Sequence, residues 1–469
     1  MTTLTMPTAS GELLGSAEPS PAGPLDDPST LPFPPLVPWP RVVQVLWFGQ
    51  RQWNFMFHYR DKFGEVWSPR GYVRGQAAVT GHPDHIRSVF TAPPDKVPTL
   101  AAESPLRPVL GPSSVLTSNG PRHLRQRKLL LPPFHGEAIV RYEQMIADAA
   151  AREIERWPIG RPLALAPRMQ AITLDVIMGG IFGIEGRPRP GTVEHALRTA
   201  IRELLRGSTM PGAKLAEWMN IGHDEPFGLT WIGLQIPDRC VYGIIRKRRR
   251  EADLEGRTDI LSLIMRARTE EGDTLTDKEL RDELMTLVLA GHETTANQLA
   301  WAWERLVRHP EAHERLVSAV REEREDADDV VEATITEAMR VRPVIPVTGR
   351  RVAVPWRLGD YAVPAGTPIA CSMLLLHHRE DLYPDPFSFR PERWLGGKKP
   401  GTYEWIPFGG GTRRCLGAAL AMAEQRVVLS KMAERLDLEA ADAKPERPKH
   451  RNVTMIPGRG GRVVIRARP

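Results

Sequence analysis

The sequence predicts a mainly α-helical protein with small β-sheets, an α+β fold. Helical periodicity dominates the 469 residues, and its longest run covers residues 276–309. Thr276 and Glu279 have the spacing of a capping box, which marks the start of that helix. Two short runs, Glu65–Trp67 and Gln76–Thr80, have the composition of strands that are too short to build a large sheet.

The first forty residues differ from the rest of the chain. Residues 1–30 are rich in Pro, Ser, Gly and Thr and are predicted to be a disordered tail. Leu31 to Pro40 carries five prolines and is expected to lie extended against the body of the protein. A helix is predicted from Arg41 to Phe63, and the two short strands follow around Gly71 and Gly75.

Composition and charge exclude several classes of protein. The net charge of +6 is small for this length and gives no argument for nucleic-acid binding. Cys240, Cys371 and Cys415 are too few for a disulfide framework and suit a reducing cytoplasm. No window approaches the roughly 20 apolar residues of a membrane span, and residues 1–31 lack the pattern of a secretory signal. A cytoplasmic protein without a membrane anchor is expected.

A stretch near the C-terminus, residues 408–417, combines four glycines with an Arg and a single Cys. Glycines let the backbone approach a flat molecule closely, because they have no Cβ. A helix is predicted directly after Cys415, and its N–H groups would favour thiolate over thiol. Such a thiolate suits metal ligation, with Phe408 on one side of the sulfur. The alternative is a buried structural cysteine beside a turn.

This stretch resembles the haem-ligand loop of the cytochrome P-450 family, Phe-x-x-Gly-x-Arg-x-Cys-x-Gly. The defined positions are filled by Phe408, Gly411, Arg413, Cys415 and Gly417. The resemblance implies that Cys415 is the proximal iron ligand of haem b, that Arg413 pairs with a haem propionate, and that Gly409 belongs to the cofactor loop. It also implies a single-domain cytochrome P-450 fold over residues 31–469, with haem between a long central distal helix and the proximal Cys loop and its helix.

The middle of the longest predicted helix reads Ala290-Gly291-His292-Glu293-Thr294-Thr295. A mid-helix Gly costs about 1 kcal/mol against Ala, and with nearby Thr hydroxyls it can open a local groove in the helix. The segment resembles the family's distal motif. The resemblance implies that Ala290 and Gly291 leave room for dioxygen, that Thr294 hydrogen-bonds the bound oxygen, and that Glu293 connects it to bulk protons. The alternative is a polar patch on a buried helix. His292 is not expected to bind iron.

Further basic residues are candidates for the haem edge. His123 and Arg127 stand four apart on one helical face, at the two places where the family has propionate partners. For Arg127, a solvated basic face is the alternative. Arg350 is a third candidate, although Arg351 beside it leaves the choice open.

A structural motif is expected to hold the Cys loop in place. Glu337 and Arg340 are three apart on one helical face, and Arg393 follows in the segment Phe389–Trp394. Both patterns resemble family motifs in which these three residues form a buried charged cluster before the Cys loop.

The predicted substrate pocket is mostly aliphatic. One expected contact, Leu100, lies in the aperiodic segment 92–120, which in the family covers the distal side of haem. The full set of expected substrate contacts is Leu100, Thr286, Leu287, Ala290, Val344, Ile345, Val347, Val453 and Thr454. It contains no anchor charge, so an apolar fatty acid, terpenoid or steroid is expected.

The resemblance implies a haem-thiolate monooxygenase that inserts one atom of dioxygen into such a substrate. No flavin or iron–sulfur region is present, so electrons are expected from a separate ferredoxin and its reductase, and from NAD(P)H only indirectly. A monomer is expected. One alternative is a peroxide-driven peroxygenase, which would dispense with the pair Glu293 and Thr294. Another is a non-catalytic haem-binding or sensor protein.

Overall fold

Helices form most of the structure, as the sequence predicts. The computed structural model describes residues 16–70, 75–184, 186–207, 216, 219–397 and 400–469. The α-helices of this part are α1 (Arg41–Phe63), α2 (Pro83–Thr91), α3 (Arg107–Leu110), α4 (Gly120–Leu130), α5 (Glu137–Ile154), α6 (Leu165–Phe182), α7 (Val193–Gly207), α8 (Gly228–Arg249), α9 (Ile260–Arg266), α10 (Asp277–Leu306), α11 (Pro310–Arg321), α12 (Ala327–Val341), α13 (Met373–Leu376) and α14 (Ala418–Arg435).

The strands are short and belong to four small sheets. They are β1 (Ala22–Pro24), β2 (Val66–Trp67), β3 (Ala78–Thr80), β4 (Pro162–Ala164), β5 (Val347–Arg351), β6 (Trp356–Leu358), β7 (Tyr361–Val363), β8 (Pro368–Ser372), β9 (Asp437–Ala440), β10 (Pro448–Arg451), β11 (Thr454–Pro457) and β12 (Arg462–Ala467). The sheet orders are β2-β3-β8-β5, β1-β6-β7, β4-β12-β9 and β10-β11. Only β3 and β8, among the described pairs, run parallel.

Helix α10 is the long helix that the sequence predicts, and it passes through the main hydrophobic core. Thr276 caps it, and the reciprocal hydrogen bonds with Glu279 form the expected capping box. Its 30 residues correspond to about 45 Å. The helix packs along α6, which is buried on almost every face. This burial gives the middle of α10 a fixed position in the protein.

The prediction of a disordered tail is wrong for residues 16–30. Strand β1 pairs antiparallel with β6. Ser20 also binds α2, because its N–H donates to Asp84 Oδ2 at 3.0 Å and its Oγ lies 2.8 Å from His85 Nε2. These contacts are backbone pairing and polar bonds, which the low apolar content of the segment does not reveal. Residues 1–15 of the predicted tail lie outside the described residues.

The other predictions for the first half of the chain agree with the structure. Helix α1 has the predicted bounds, β2 and β3 lie within the predicted strands, and Leu36 in the proline-rich segment forms a bridge with Ser68. Gly71 lies outside the described residues. Cys371 is fully buried in β8 and belongs to the hydrophobic core. No helix in the described part of the chain is long and apolar enough to cross a membrane.

Candidate haem-binding site

The Cys loop, residues 408–417, lies between α2 and α14. The N–H of Cys415 donates to the carbonyl of Phe408 at 2.9 Å and closes the loop. Gly411 has φ +62°, and a Cβ there would overlap the carbonyl oxygen of Phe90 at the end of α2. Gly409 has φ +67° but open space around it. Two glycines are therefore required by backbone conformation, and Gly411 is required by close packing as well.

Cys415 lies deep in the protein, yet its side chain is not covered by protein atoms. It therefore faces an internal cleft. Burial raises the pKa of the thiol, although the Gly417 N–H and the nearby Arg127 and Arg414 lower it. The start of α14 favours the thiolate as expected, because the Gly417 N–H lowers the pKa, but removal from water has the larger, opposite effect. A metal ion that bound Cys415 would itself supply the charge needed for deprotonation.

Four basic side chains gather at one edge of this region. His123 is buried, and burial together with Arg413, Arg127 and Arg350 lowers its pKa to about 4. Burial and the charges of Arg350 and Arg127 lower the pKa of Arg413 to about 10. The imidazole is therefore neutral at physiological pH, while the three guanidiniums keep their charge. These predicted propionate partners lie close together, because the charges of Arg127 and Arg350 act on both His123 and Arg413.

The structure resolves the choice between Arg350 and its neighbour. Arg350 is buried on β5, with its guanidinium 5.0 Å from the ring centroid of Phe90. Arg351 points away and pairs with Glu103 at 2.7 Å. Alternation along β5 sends the two side chains to opposite faces of the sheet. Only Arg350 joins the basic group.

The basic group fits a cofactor with two carboxylates. Within the described residues, no carboxylate is among the charges that act on Arg127, Arg350 or Arg413. Buried guanidiniums without a counter-charge are costly, so the site is built for an anionic partner. The two propionates of haem would supply that charge, and Cys415 would supply a sulfur ligand beside Arg127. The residues present therefore fit haem b.

Sequence reasoning missed the residues that hold Arg413. Its guanidinium donates to the carbonyls of Val115 and Ser118 at 3.0 and 2.5 Å, and to Asn119 Oδ1 at 2.8 Å. Two of these acceptors are backbone atoms, which carry no signal in the side-chain sequence. Only the composition of segment 92–120, rich in Pro, Ser and Gly, pointed to this region.

The distal motif lies in the middle of α10. Ala290 is exposed although Val288 and His292 beside it are buried, so this face of the helix borders an internal cleft. The Thr294 hydroxyl donates to the Ala290 carbonyl at 2.7 Å. The helix is continuous through residues 290–295. The Thr294 hydroxyl therefore bonds back to its own helix, one turn earlier.

Gly291 and His292 face α6. A Cβ on Gly291 would lie 2.7 Å from Ile177 Cδ1, so close packing of α10 on α6 explains this glycine. The structure thus gives Gly291 a packing role that the sequence did not suggest. His292 is buried beside Thr173, whose hydroxyl donates to the His292 carbonyl at 2.9 Å. Burial lowers its pKa to about 4.

Glu293 is held by the C-terminal hairpin. Its Oε1 accepts from Arg451 Nε at 2.8 Å and from Thr454 Oγ1 at 3.3 Å. Arg451 lies at the end of β10 and Thr454 at the start of β11. The carboxylate is mostly buried, with 13% of its side chain exposed. Arg451 was missed by sequence reasoning because it is 158 residues away along the chain.

The predicted substrate contacts fall into different surroundings. Leu100 packs on Gly349 of β5, and Val344 is buried with its carbonyl bound to the Met455 N–H. Val453 is exposed at the hairpin turn, with 39% of its surface accessible. Leu287, Ile345 and Val347 are half-buried, and Ala290 is exposed.

The two threonines of that set are engaged by protein atoms. Thr286 is buried, and its hydroxyl lies 2.6 Å from both Ser114 Oγ and the Asp282 carbonyl. The buried Thr454 hydroxyl donates to the Arg451 carbonyl at 2.9 Å. The donor hydrogen of each hydroxyl is therefore already engaged by a protein acceptor.

The predicted charged cluster is present and fully buried. Glu337 pairs with Arg340 at 2.8 Å and lies 3.4 Å from Arg393. Trp394 Nε1 donates to Glu337 Oε2 at 2.9 Å. The segment nearest the Cys loop is held in the same region, because Trp405 Nε1 donates to the Thr336 carbonyl.

Glu424 on α14 gives a stability prediction. Burial raises its pKa from 4.5 to about 8, and its Oε1 has no partner among the described residues. The folded protein therefore keeps a proton that the unfolded chain releases, and stability falls as pH rises from about 4.5 through about 8. We expect Glu424→Gln to remove about 3 to 5 kcal/mol of this decline. Urea unfolding at several pH values measures it, and pH profiles that stay parallel in the two proteins contradict it.

Comparisons with known proteins agree with this site. A family model described as Cytochrome P-450 matches residues 32–463. Cytochrome P-450 138 of Mycobacterium tuberculosis is 34% identical over 446 residues, 94% of this chain and 98% of that protein. Cytochrome P-450 135B1 of the same species is 36% identical, with 92% of each chain covered.

Solved structures show the same fold. Cyanobacterial CYP120A1 with retinoic acid bound has a TM-score of 0.78 at 20% identity, over 93% of this chain and 100% of that one. The haem domain of cytochrome P-450DA has a TM-score of 0.79 at 20% identity, over 94% and 98% of the two chains. This chain therefore belongs to the cytochrome P-450 family, the haem b-binding monooxygenases that receive electrons from NAD(P)H through redox partners.

Proposed function

We propose that the protein, acting as a single haem-thiolate domain over residues 31–469, inserts one oxygen atom of dioxygen into an apolar organic substrate. The observation that carries this proposal is the meeting of Cys415 with three guanidiniums that have no carboxylate partner in the described part of the chain. A thiol and a set of unpaired cations at one cleft are the complement of an iron porphyrin with two propionates. Haem bound there would supply the oxygen activation that no amino-acid side chain provides.

Each residue of the site has a task in this proposal. Cys415 would ligate the iron, and His123, Arg127, Arg350 and Arg413 would hold the propionates. The neutral His123 can donate one hydrogen bond, while the guanidiniums neutralise the two negative charges. Phe408, Gly409 and Gly417 would shape the proximal loop.

Protons would reach the distal side through α10. Oxygen chemistry of this class consumes two protons, so a hydroxyl beside a carboxylate on the cleft-facing helix is a suitable source. Thr294 Oγ1 can receive a proton and pass it on when it turns from the Ala290 carbonyl. Glu293 would bring protons from solvent and is kept in place by Arg451 and Thr454. The presence of this acid and alcohol pair favours a monooxygenase over a peroxide-driven peroxygenase.

The substrate class remains an apolar molecule, such as a fatty acid, a terpenoid or a steroid. Support comes from the aliphatic set of Leu100, Leu287, Ala290, Val344, Ile345, Val347 and Val453. Because the donor hydrogens of Thr286 and Thr454 are engaged by protein atoms, these two residues would offer a substrate chiefly their methyl groups. The pocket would then recognise shape more than polarity.

A ferredoxin and its reductase are the proposed electron donors. The mildly basic net charge of +6 suits an acidic electron carrier. A cytoplasmic location and a monomeric state stay predictions, the former because the three cysteines suit a reducing compartment.

The absorption spectrum of the reduced, carbon-monoxide-bound protein tests this proposal. Wild type is expected to show the strongly red-shifted Soret band of a thiolate-ligated haem, and Cys415→Ala is expected to lose it. Titration of the ferric protein with fatty acids, terpenoids and steroids then identifies the class that converts the iron to high spin. A wild-type spectrum typical of a neutral iron ligand rejects the proposal.

We expect Thr294→Ala to separate electron consumption from product formation, because the variant lacks the hydroxyl that passes the proton. NAD(P)H use should continue while product per NAD(P)H falls about 100-fold and hydrogen peroxide appears, the lower end of the range for loss of one proton-transfer group. Thr334→Ala is the control, because Thr334 on α12 makes the same helix bond, to the Val330 carbonyl at 2.7 Å, outside the site. Unchanged coupling in Thr294→Ala removes this residue from the mechanism.

A further inference from the structure

Glu283 is a buried carboxyl group on the cleft-facing side of α10. It precedes Leu287, Ala290 and Thr294 by four, seven and eleven residues, so the four residues share one helical face. It lies about 10 Å from Ala290 along the helix axis. Its side chain is fully buried, and Oε1 accepts from the Val115 N–H at 2.9 Å. Oε2 has no partner among the described residues.

This carboxyl group is not part of an ion pair. Within the described residues, the charges that act on it are Asp282 and Glu279, both of its own sign. Burial raises the pKa of the Glu283 carboxyl group well above its ordinary value. Among the described residues, the Val115 N–H is therefore its one hydrogen-bond partner.

Val115 joins α10 to the Cys loop through its backbone. Its N–H binds Glu283, and its carbonyl accepts from Arg413 Nη1 at 3.0 Å. The Ser118 carbonyl and Asn119 Oδ1 complete the acceptors of the same guanidinium. Loop 113–119 thus lies between the distal helix and the arginine that we place at a haem propionate.

Two neighbours of Glu283 on α10 hold the same loop. Asp282 Oδ2 accepts from the Ser113 N–H at 3.1 Å, and Thr286 Oγ1 lies 2.6 Å from Ser114 Oγ. Gly111 at the start of the loop has φ +93°, and a Cβ there would overlap the Asp282 carboxylate. One turn of α10 therefore determines where the loop carbonyls point.

We propose that Glu283 is a positioning residue for haem: it fixes loop 113–119 through Val115, and the loop holds Arg413 toward the propionates. Arg413 needs these acceptors because the like charges of Arg127 and Arg350 repel it. Without the bond from Glu283, the Val115 N–H would be unpaired in the interior, and the loop would shift to satisfy it. This inference rests on the proposed haem binding.

The test is the rate of haem transfer from the ferric protein to an excess of a haem-scavenging apoprotein, measured well below the unfolding temperature. Glu283→Ala is expected to speed transfer roughly 5- to 100-fold, the range for one buried hydrogen bond. Glu283→Gln should behave as wild type, because its amide oxygen can accept from Val115. If Glu283→Ala does not fold, Glu283→Asp, which withdraws the carboxyl group from Val115, should give an intermediate rate.

Glu304→Ala is the matched control. Glu304 lies on the same helix, is equally buried and also accepts from a backbone N–H, that of Glu446 at 3.1 Å, but it belongs to the other end of α10. This variant should lower the unfolding temperature and leave haem transfer unchanged. Equal transfer rates for Glu283→Ala and Glu304→Ala, or a wild-type rate for Glu283→Asp, overturn the inference. A wild-type protein that takes up no haem contradicts the proposed function as well.

Discussion

Glu337→Ala is expected to yield a protein that unfolds at much lower urea concentration and retains little haem. Glu337 and Arg340 are both fully buried, and Arg340 also donates to the carbonyls of His377, Pro386 and Ser388. Removing the carboxylate leaves a buried guanidinium without its counter-charge, which costs about 3 to 5 kcal/mol. Since domains are stable by only about 5 to 15 kcal/mol, this loss is a large part of the total.

The destabilisation should extend to the Cys loop, because the charged cluster contacts the segment of chain that precedes this loop. Glu337 accepts from the Arg390 N–H at 2.8 Å, and Tyr383 in the same segment donates to the Glu404 carbonyl at 2.9 Å. Urea unfolding and haem content per protein measure the effect. Glu392→Ala is the control, because its pair with Arg390 is exposed and contributes at most about 1 kcal/mol. Similar losses of stability and haem content in Glu337→Ala and Glu392→Ala contradict the prediction.

Gly411→Ala is expected to prevent haem-thiolate formation, whereas Gly409→Ala should only weaken the protein. Both glycines have positive φ, which costs an alanine about 1 to 2 kcal/mol. At Gly411 the new Cβ also overlaps the Phe90 carbonyl oxygen, a backbone atom that cannot rotate away. The added overlap brings the cost to roughly 2 to 5 kcal/mol.

The fraction of protein that forms the thiolate carbon-monoxide complex compares the two glycine variants, with thermal unfolding alongside. Because both variants carry the same backbone strain, the difference between their fractions of complex reports the contact of residue 411 with the Phe90 carbonyl of α2. Equal fractions of complex in Gly409→Ala and Gly411→Ala show that the Phe90 contact does not position the loop.

Some features of the site were predictable because they depend on neighbouring residues. Two of them join residues three apart in sequence: the capping box of Thr276 with Glu279, and the pair of Glu337 with Arg340. A third, the glycine at position 411, reflects the backbone conformation of a single residue. Periodicity likewise predicted α1 and α10. The N-terminal segment was mispredicted because β1 gains its order from β6, more than 300 residues later.

Other features depend on contacts between distant parts of the chain. Arg413 and Val115 are 298 residues apart, and Glu293 and Arg451 are 158 apart. Gly291 packs against Ile177 of α6, a contact that the residues around it in sequence do not indicate. The sign of the effect on the Cys415 pKa also depends on burial, which the residues around it in sequence do not report.

The sequence by itself determined the family, the iron-ligand candidate and the long distal helix, because these follow from local backbone demands and motif spacing. The tertiary structure alone decided that Arg350 and not Arg351 joins the basic group, that Arg451 holds Glu293, and which carbonyls hold Arg413. The physical reason is that hydrogen bonding and burial act over a few ångströms in space. Only the folded chain brings such distant residues within that range.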